Sequence, residues 1–154
     1  MSKPKSSKPK ILVQLDCDPH ASVFDSVVAV DAGVDQLLCH HQVSPDDVRE
    51  LVYGAMFTRG PRDLSATAIF IGGSSVETGE QLLRRVEDCF FSSVRVSVML
   101  DSSGANTTAA AAVLAADRHL ALDGAVSLVM GATGPVGRRV VRLLAGQGAQ
   151  VRVA

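Results

Sequence analysis

Short apolar runs alternate with amphipathic segments along the chain, and each kind of segment predicts one kind of element. Runs such as KILVQL (residues 10–15) and ATAIFIGG (residues 66–73) are nearly continuous in apolar residues, which is typical of strands buried on both faces of a sheet. The segment SPDDVRELVYGAMFT (residues 44–58) instead repeats apolar residues at helical spacing. This alternation predicts an α/β protein in which helices cover an open parallel sheet.

The same pattern extends through the chain and predicts where each element lies. Strands are predicted at residues 10–15, 35–40, 66–73, 94–100, 125–130 and 149–154. Helices are predicted at residues 22–33, 44–58, 74–91, 106–120 and 134–148. Three pairs of residues have capping spacing at helix starts: Ser22 with Asp25, Ser44 with Asp47, and Ser74 with Glu77. Asn106 is the expected N-cap of the fourth helix.

The chain of 154 residues is long enough for one ordinary domain but short for two complete α/β domains. A boundary is predicted near residues 122–124, where LDG precedes a fresh strand–helix–strand pattern. Residues 10–122 have the pattern of a complete sheet domain, whereas residues 123–154 supply only one βαβ unit, so the chain is interpreted as a piece of a longer protein. Residues 1–9, rich in Lys, Ser and Pro, are predicted to form a disordered tail.

Composition and charge argue against several classes of function. Hydrophobic residues make up 47% and charged residues 20% of the chain, and the net charge of −1 does not suit a nucleic-acid-binding protein. No apolar stretch approaches the ~18 residues of a membrane span and no signal peptide is recognisable, so a cytoplasmic location is expected. The three cysteines lack C-x-x-C spacing and the four histidines lack partners at ligand spacing, so neither a disulfide framework nor a metal site is predicted.

Three glycines, Gly131, Gly134 and Gly137, lie between a predicted strand and a predicted helix. Glycines at such a turn let the backbone approach a pyrophosphate, whose charge the N–H groups of the helix start receive. The usual fingerprint is G-x-G-x-x-G, and Ala132 stands where its first glycine would be. The loop predicts a dinucleotide-binding unit, with a tight turn that binds no ligand as the alternative. The acidic residue that would bind the ribose of NAD, or the arginine that would bind the 2′-phosphate of NADP, is expected beyond Ala154. The sequence therefore does not distinguish NAD from NADP.

Polar loops follow three of the predicted strands: DCDPHAS (residues 16–22), GGSS (residues 72–75) and DSSGANTT (residues 101–108). The tetrapeptide FTRG (residues 57–60) ends the second helix. Because ligands of open α/β sheets bind at the carboxyl ends of strands, these loops together predict a cleft for a small polar molecule. Taken singly, each loop is explained as a helix cap or a turn. Asp16 and Asp18 are interpreted as solvated residues or as part of a metal site that lacks a third ligand.

From about Lys10 to Ala154 the chain resembles the N-terminal part of the NADP-dependent methylene-tetrahydromethanopterin dehydrogenases, a family that includes members accepting methylene-tetrahydrofolate. The resemblance is carried by SVFD, FTRG, TAIFIGG, GATGPVGRR and, most specifically, MLDSSGANTTAAA. It implies a cytoplasmic homo-oligomer of one-carbon metabolism, in which a pterin-binding domain (residues 10–122) faces a Rossmann-type NADP domain that begins at residue 123. It also implies hydride transfer from the methylene carbon to the nicotinamide, which requires alignment more than acid–base chemistry.

The resemblance assigns roles to individual residues. Thr108 would lie near the reacting carbon or the nicotinamide, as the catalytic residue. The residues implied to bind the pterin are Asp18, Ser22, Thr58, Arg59, Gly60, Asp101, Ser102, Asn106 and Thr107. The residues implied to bind NADP, or NAD in its place, are Gly131, Thr133, Gly134, Pro135, Val136 and Gly137.

Two other interpretations remain open. A truncated homologue would bind a pterin or contribute an oligomer interface without catalysis. An NAD(P)-sensing module on an unrelated fold would bind the dinucleotide alone. Pterin binding without NADP binding favours the first of these, and NADP binding without pterin binding favours the second. No nucleic acid or membrane is an expected partner under any of the three interpretations.

Overall fold

The computed structural model describes residues 8–154 and confirms the predicted strands and helices, with shifted ends. Within these residues the strands are β1 (Ile11–Leu15), β2 (Gln36–His40), β3 (Thr67–Ile71), β4 (Ser97–Leu100), β5 (Val126–Val129) and β6 (Gln150–Val153). The α-helices are α1 (Val23–Asp31), α2 (Val48–Phe57), α3 (Val76–Asp88), α4 (Ala105–Asp117) and α5 (Pro135–Gly146). The predicted disordered tail, residues 1–9, lies outside the described residues except for its last two positions.

Packing divides the chain into two compact units, one that ends at Ser103 and one that comprises Gly104–Ala154. In the first unit, four strands form a parallel sheet in the order β2-β1-β3-β4. The central strand β1 pairs on both sides, so that Ile11 lies opposite Gln36 and Thr67. This sheet is the predicted open α/β architecture. The boundary predicted at residues 122–124, between a pterin domain and a cofactor domain, stays a prediction.

One face of the four-stranded sheet packs against α2 and α3 and forms the core of the first unit. Side chains alternate between the two faces of a strand, so the odd-numbered residues of β1 and β3 share this face. The buried residues of this core include Val13, Leu15, Ile69 and Ile71 from the strands and Val52, Met56, Leu82 and Val86 from the helices. Burial of each large apolar side chain stabilises the fold by about 1.5–3 kcal/mol relative to exposing it.

The other face of the sheet carries Gln14 and Asp16, which point toward α1. The side chain of Gln14 contacts Ser22 and Ser26 at the start of this helix. Both Gln14 and Asp16 are buried, at 1% and 0% exposed. The end of β1 therefore places a polar pair between the sheet and α1, directly before the loop that follows the strand.

The second unit contains the predicted βαβ pattern. Strands β5 and β6 are parallel, with Val126 opposite Gln150, and α5 connects them. A small core joins α4, α5 and β5 through Val113, Leu122, Val129 and Leu144. None of the helices in the described part of the chain combines the length and apolar character that crossing a membrane requires.

The predicted start of α1 is confirmed, whereas that of α2 is wrong. The Ser22 hydroxyl caps α1 by accepting a hydrogen bond from the backbone N–H of Asp25 at 3.2 Å. Helix α2 begins only at Val48, and Ser44 does not cap it. Ser44 instead donates its N–H and its hydroxyl to one carboxylate oxygen of Asp47, at 2.8 and 2.6 Å. Both bonds lower the pKa of Asp47, and the hydroxyl bond has the larger effect. They also close a turn ahead of the helix.

The predicted capping role of Ser74 in α3 is also wrong. The N-cap is the next residue, Ser75, whose hydroxyl accepts a hydrogen bond from the backbone N–H of Thr78 at 3.2 Å. Either serine lies close enough to the helix start to cap it, so local sequence does not separate the two. The shift by one residue leaves the Ser74 side chain outside the helix, where it contacts another loop.

Asn106 is not the N-cap of α4, as the sequence had predicted. The helix begins at Ala105, and Gly104 occupies the cap position without a side-chain hydrogen bond. Ser103 and Gly104 both adopt left-handed backbone angles, with φ of 56° and 62°. Two such residues turn the chain sharply into the helix, so Asn106 falls inside the first turn. Its side chain then reaches the neighbouring helix α5.

Candidate functional site

Three polar loops meet at the carboxyl edge of the four-stranded sheet, as the sequence predicts. We call them the β1 loop (residues 16–22), the β3 loop (residues 72–75) and the β4 loop (residues 101–103). Gly72 N–H donates to the Leu15 carbonyl at 3.0 Å, which ties the β3 loop to the end of β1. Ser103 N–H donates to the Gly73 carbonyl at 2.8 Å, which ties the β4 loop to the β3 loop.

Asp18 in the β1 loop holds Ser74 in the β3 loop. One carboxylate oxygen accepts the backbone N–H of Ser74 at 2.9 Å, and the other accepts its hydroxyl at 2.7 Å. Asp18, a predicted pterin ligand, is therefore already engaged with a neighbouring loop, although it remains half-buried rather than enclosed. Sequence reasoning missed Ser74 because it assigned this serine to the helix.

Ser102 in the β4 loop is placed beneath the surface of the site. It is only 2% exposed, and its hydroxyl donates to the Gly72 carbonyl at 2.6 Å. Gly79 of α3 packs directly against it, since a Cβ atom on Gly79 would collide with the Ser102 side chain. The hydroxyl of this predicted pterin ligand thus holds two loops together within the fold.

Asp16 is the buried residue that organises the β1 loop. Its two carboxylate oxygens accept the backbone N–H groups of Asp18 at 2.9 Å and Ser22 at 3.0 Å. The interpretation of Asp16 as a solvated residue is wrong, because it is 0% exposed. Asp16, Cys17 and Asp18 do bring potential metal-ligand atoms within 4.8 Å of one another. Both oxygens of Asp16 are nevertheless occupied by backbone donors, so no metal site is assigned.

Negative charge concentrates at this edge of the sheet. Burial raises the pKa of Asp25, and the charges of Asp16 and Asp101 raise it further, whereas its hydrogen bond with Ser22 lowers it. Burial also raises the pKa of the Cys17 thiol; a backbone hydrogen bond from Ser75 opposes this effect, and the Asp18 and Asp16 charges add to it. The site therefore keeps the Cys17 thiol protonated and presents carboxylates instead of cations.

The structure places Thr58, Arg59 and Gly60 away from these loops, at the amino edge of the same sheet. They follow the end of α2, where the Thr58 hydroxyl donates to the Gly54 carbonyl at 3.0 Å. The Arg59 guanidinium donates to the Ala66 carbonyl at 3.0 Å, directly before β3 begins. Of the predicted pterin ligands in the first unit, Asp18, Ser22, Asp101 and Ser102 are thus brought together, and Thr58, Arg59 and Gly60 are not.

In the second unit, the first turns of α4 and α5 lie side by side. The Arg139 guanidinium of α5 donates through Nε to the Asn106 side-chain oxygen of α4, and through Nη1 to the Pro135 carbonyl at 2.9 Å. Thr107 and Thr108 are exposed on the same turn of α4. The predicted catalytic residue and two predicted pterin ligands therefore adjoin the helix that follows the glycine loop.

The glycine loop has the geometry that its spacing predicts. Gly131 is left-handed, with φ of 69°, and its carbonyl accepts the Gly134 N–H at 3.0 Å. Gly137 packs so closely on Gly131 that a Cβ atom would overlap the Gly131 carbonyl. Pro135 is the first residue of α5, and the first turn of this helix contains no acidic side chain. Thr133 is exposed and Val136 half-buried beside the same helix start. Such a loop leaves backbone N–H groups available for an anion.

Comparison with known proteins identifies a family for this chain. A family model described as "Methylene-tetrahydromethanopterin dehydrogenase, N-terminal" matches residues 23–103, which is more than half of the chain. The match includes the β3 and β4 loops and begins directly after the β1 loop. The family predicted from the sequence motifs is therefore confirmed.

Two relatives from Methylorubrum extorquens resemble the chain over similar lengths. The bifunctional protein MdtA is 47% identical over 104 residues, which are 68% of this chain and 36% of that protein. An NAD(P)-dependent methylenetetrahydromethanopterin dehydrogenase is 36% identical over 101 residues, which are 66% of this chain and 34% of that protein. The aligned regions thus span about a third of the length of either relative.

A solved structure also overlaps with the chain at low similarity. NAD+-bound 3-phosphoglycerate dehydrogenase of Entamoeba histolytica is 13% identical, with a TM-score of 0.36, over 96% of this chain and 54% of that one. At this overlap the likeness does not bear on the fold or the function of the chain.

Proposed function

The chain belongs to the methylene-tetrahydromethanopterin dehydrogenase family, and we propose that it takes part in hydride transfer from a methylene-pterin to NADP or NAD. The substrate is methylene-tetrahydromethanopterin or methylene-tetrahydrofolate, and the product is the corresponding methenyl cation. In this proposal residues 10–122 form the pterin domain and residues 123–154 begin the cofactor domain. The protein acts in cytoplasmic one-carbon metabolism as a homo-oligomer.

The junction of the β1, β3 and β4 loops is the observation that carries this proposal. Open α/β sheets bind their ligands at the carboxyl ends of the strands, which is where these loops meet. A pterin ring presents adjacent N–H donors, and the Asp101 carboxylate and the Ser22 hydroxyl are suitable acceptors. The Asp18 carboxylate is another, because each of its oxygens has a second lone pair beside the one that accepts from Ser74. Ser102 contributes by holding the β3 and β4 loops together, since its hydroxyl is bound to Gly72.

The charge at this edge also suits the reaction. Loss of a hydride leaves positive charge on the methenyl product, and fixed negative groups stabilise such charge as it develops. The carboxylates at the edge are those of Asp16, Asp18, Asp25 and Asp101. No general base is required, because the hydrogen leaves the methylene carbon together with the electron pair of its C–H bond. Burial is the largest cause of the raised pKa of Asp25, and the Asp16 and Asp101 charges at this edge raise it further.

The close packing of the glycine loop is a separate observation that supports dinucleotide binding. The space that a Cβ atom on Gly137 would fill is closed by the Gly131 backbone, so the turn is as tight as a pyrophosphate-binding loop requires. Residues Gly131, Thr133, Gly134, Pro135, Val136 and Gly137 would hold the pyrophosphate. NADP, when bound, accepts the hydride. Thr108, with Asn106 and Thr107 beside it, would line the approach to the nicotinamide on the first turn of α4.

Separate titrations of the chain with tetrahydromethanopterin and with NADP+ test this function. Calorimetry measures each binding event, and the absorbance of reduced nicotinamide reports hydride transfer from the methylene-pterin. We expect the chain to bind the pterin and Asp18→Ala to weaken this binding. Asp31→Ala, at an exposed position in the last turn of α1, should leave the affinity unchanged. Pterin binding without NADP+ binding would favour a non-catalytic pterin module. A chain that binds no pterin would contradict the proposal.

A further inference from the structure

We propose that Asp16 is the positioning residue of the pterin site, holding Asp18 and Ser22 at the places where a pterin contacts them. This inference rests on the proposed function. Asp16 does not touch the ligand, because it is fully buried. It acts through the backbone of the β1 loop, and no other charged side chain in the described residues is as deeply enclosed.

The geometry of Asp16 suits an anchor. Its own backbone is fixed on the side of β2, where its N–H donates to the His40 carbonyl at 3.0 Å and its carbonyl accepts the Val43 N–H at 2.9 Å. From this fixed base, the carboxylate accepts two N–H groups from residues two and six positions ahead. The β1 loop therefore folds around one side chain.

A carboxylate is required here because the two donors converge on two acceptor oxygens. An amide side chain has one acceptor oxygen, so Asn at this position would satisfy one N–H and oppose its own N–H groups to the other. Hydrogen bonds to ionised acceptors are stronger than neutral ones, which offsets part of the penalty for burying the charge. A buried charge whose bonds serve only one loop indicates a role in that loop.

The same loop is held from its other side by Gln14. Its Nε2 atom donates to the Ser22 carbonyl at 3.4 Å, and the Ser26 hydroxyl donates to the same carbonyl at 2.9 Å. Ser22 thus has its N–H held by Asp16 and its carbonyl held by Gln14 and Ser26. Its hydroxyl meanwhile accepts the Asp25 N–H. A change at Asp16 releases only the N–H side of this arrangement.

Asp16 also acts on the β3 loop indirectly, through Asp18. Its bond to the Asp18 N–H fixes the residue whose carboxylate holds Ser74. Loosening the β1 loop therefore displaces two of the three loops that form the edge. This coupling explains how one buried side chain sets the affinity of a site that it does not line.

Asp16→Asn, studied beside Val52→Ala, tests the assignment. Val52 lies in the core on the opposite face of the sheet, so Val52→Ala lowers global stability without touching the β1 loop. We expect Asp16→Asn to weaken tetrahydromethanopterin binding about tenfold and to accelerate amide hydrogen exchange at Asp18 or Ser22. Val52→Ala is expected to leave the affinity unchanged under conditions where it remains folded.

The wild-type protein supplies a second measurement that does not depend on the variant folding. The Asp18 and Ser22 amides should exchange much more slowly than the amide of His20, an exposed residue of the same loop, because only the Asp18 and Ser22 amides are bound to Asp16. Equal exchange rates would overturn the assignment, as would an unchanged affinity in Asp16→Asn or an equal loss in Val52→Ala. If the wild type binds no pterin, the proposed function fails; if it binds and Asp16→Asn binds equally well, only this inference fails.

Discussion

Asp18 and Ser74 lie 56 positions apart in the sequence and are joined by two hydrogen bonds at the carboxyl edge of the sheet. The carboxylate of Asp18 accepts both the N–H and the hydroxyl of Ser74. This pair fixes the β1 loop against the β3 loop. It also gives Asp18 a defined orientation before any ligand binds, which lowers the conformational entropy that binding would otherwise have to remove.

Ser74→Ala tests this pair. The substitution removes the hydroxyl bond but keeps the N–H bond, so we expect a loss in the free energy of unfolding of about 0.5–1 kcal/mol at this exposed position. Pterin affinity should fall by less than in Asp18→Ala. Chemical denaturation and calorimetry measure the two effects. Ser97→Ala, at an exposed position in β4, is the control, and an equal change in both variants would argue against the pair.

Gly79→Ala is expected to destabilise the protein, although alanine is the better helix former. A Cβ atom on Gly79 would meet the Ser102 side chain and lie 3.0 Å from Leu100 Cδ1. Overpacking of this kind costs about 1–3 kcal/mol. Gly54→Ala is the matched control, because nothing lies within 4 Å of its Cβ position in α2. That variant should gain up to about 1 kcal/mol in the free energy of unfolding. If both variants are stabilised, α3 does not pack on Ser102 as described.

Gly137→Ala is expected to disrupt the glycine loop. The new methyl group would overlap the Gly131 carbonyl, so α5 would have to move away from the end of β5. We expect a loss of about 2 kcal/mol or more in the stability of the second unit, together with loss of NADP+ binding. Gly146→Ala, near the other end of α5, has nothing within 4 Å of its Cβ position and is the control. Unfolding curves that are identical for the two variants would contradict this packing.

Asp25→Asn should make the protein more stable at neutral pH. Burial, with the nearby Asp16 and Asp101 charges, raises the pKa of Asp25 above its ordinary value of 3.8. An acid with a raised folded-state pKa stabilises the fold below its unfolded pKa, and this contribution is lost as the pH rises through the folded pKa. The gain from Asp25→Asn should therefore be present at about pH 7 and vanish at about pH 3. Thermal melts across this range measure it, with Asp46→Asn as control. A gain that persists in acid would refute the electrostatic cause.

The pattern of apolar residues was sufficient to predict the strands and helices. Burial of the strands was overestimated, because only β1 and β3 are largely buried, whereas β2, β4, β5 and β6 are mostly exposed or half-buried. Local capping patterns were weaker guides. Ser74 and Ser75 are adjacent candidates for the same cap, and only the tertiary bond to Asp18 decides between them. Asn106 is likewise not the N-cap of α4, because Ser103 and Gly104 turn the chain before the helix begins.

The composition of the candidate site was partly predictable, since three polar loops follow three parallel strands and must share one edge. The burial of Asp16 was not, because a carboxylate after a strand looks the same in sequence whether it faces water or backbone donors. The location of Arg59 at the opposite edge follows from the direction of α2, which runs back from the carboxyl edge of the sheet. The sequence motif alone carries no such direction.

Backbone amide NMR spectra of the wild-type chain, recorded during titration with tetrahydromethanopterin, test the central claim most directly. If the pterin binds where the β1, β3 and β4 loops meet, the chemical-shift changes will concentrate at Asp18, Ser22, Ser74 and Asp101. Changes confined to Thr58, Arg59 and Gly60 at the amino edge, or no changes at saturating ligand, would contradict the account.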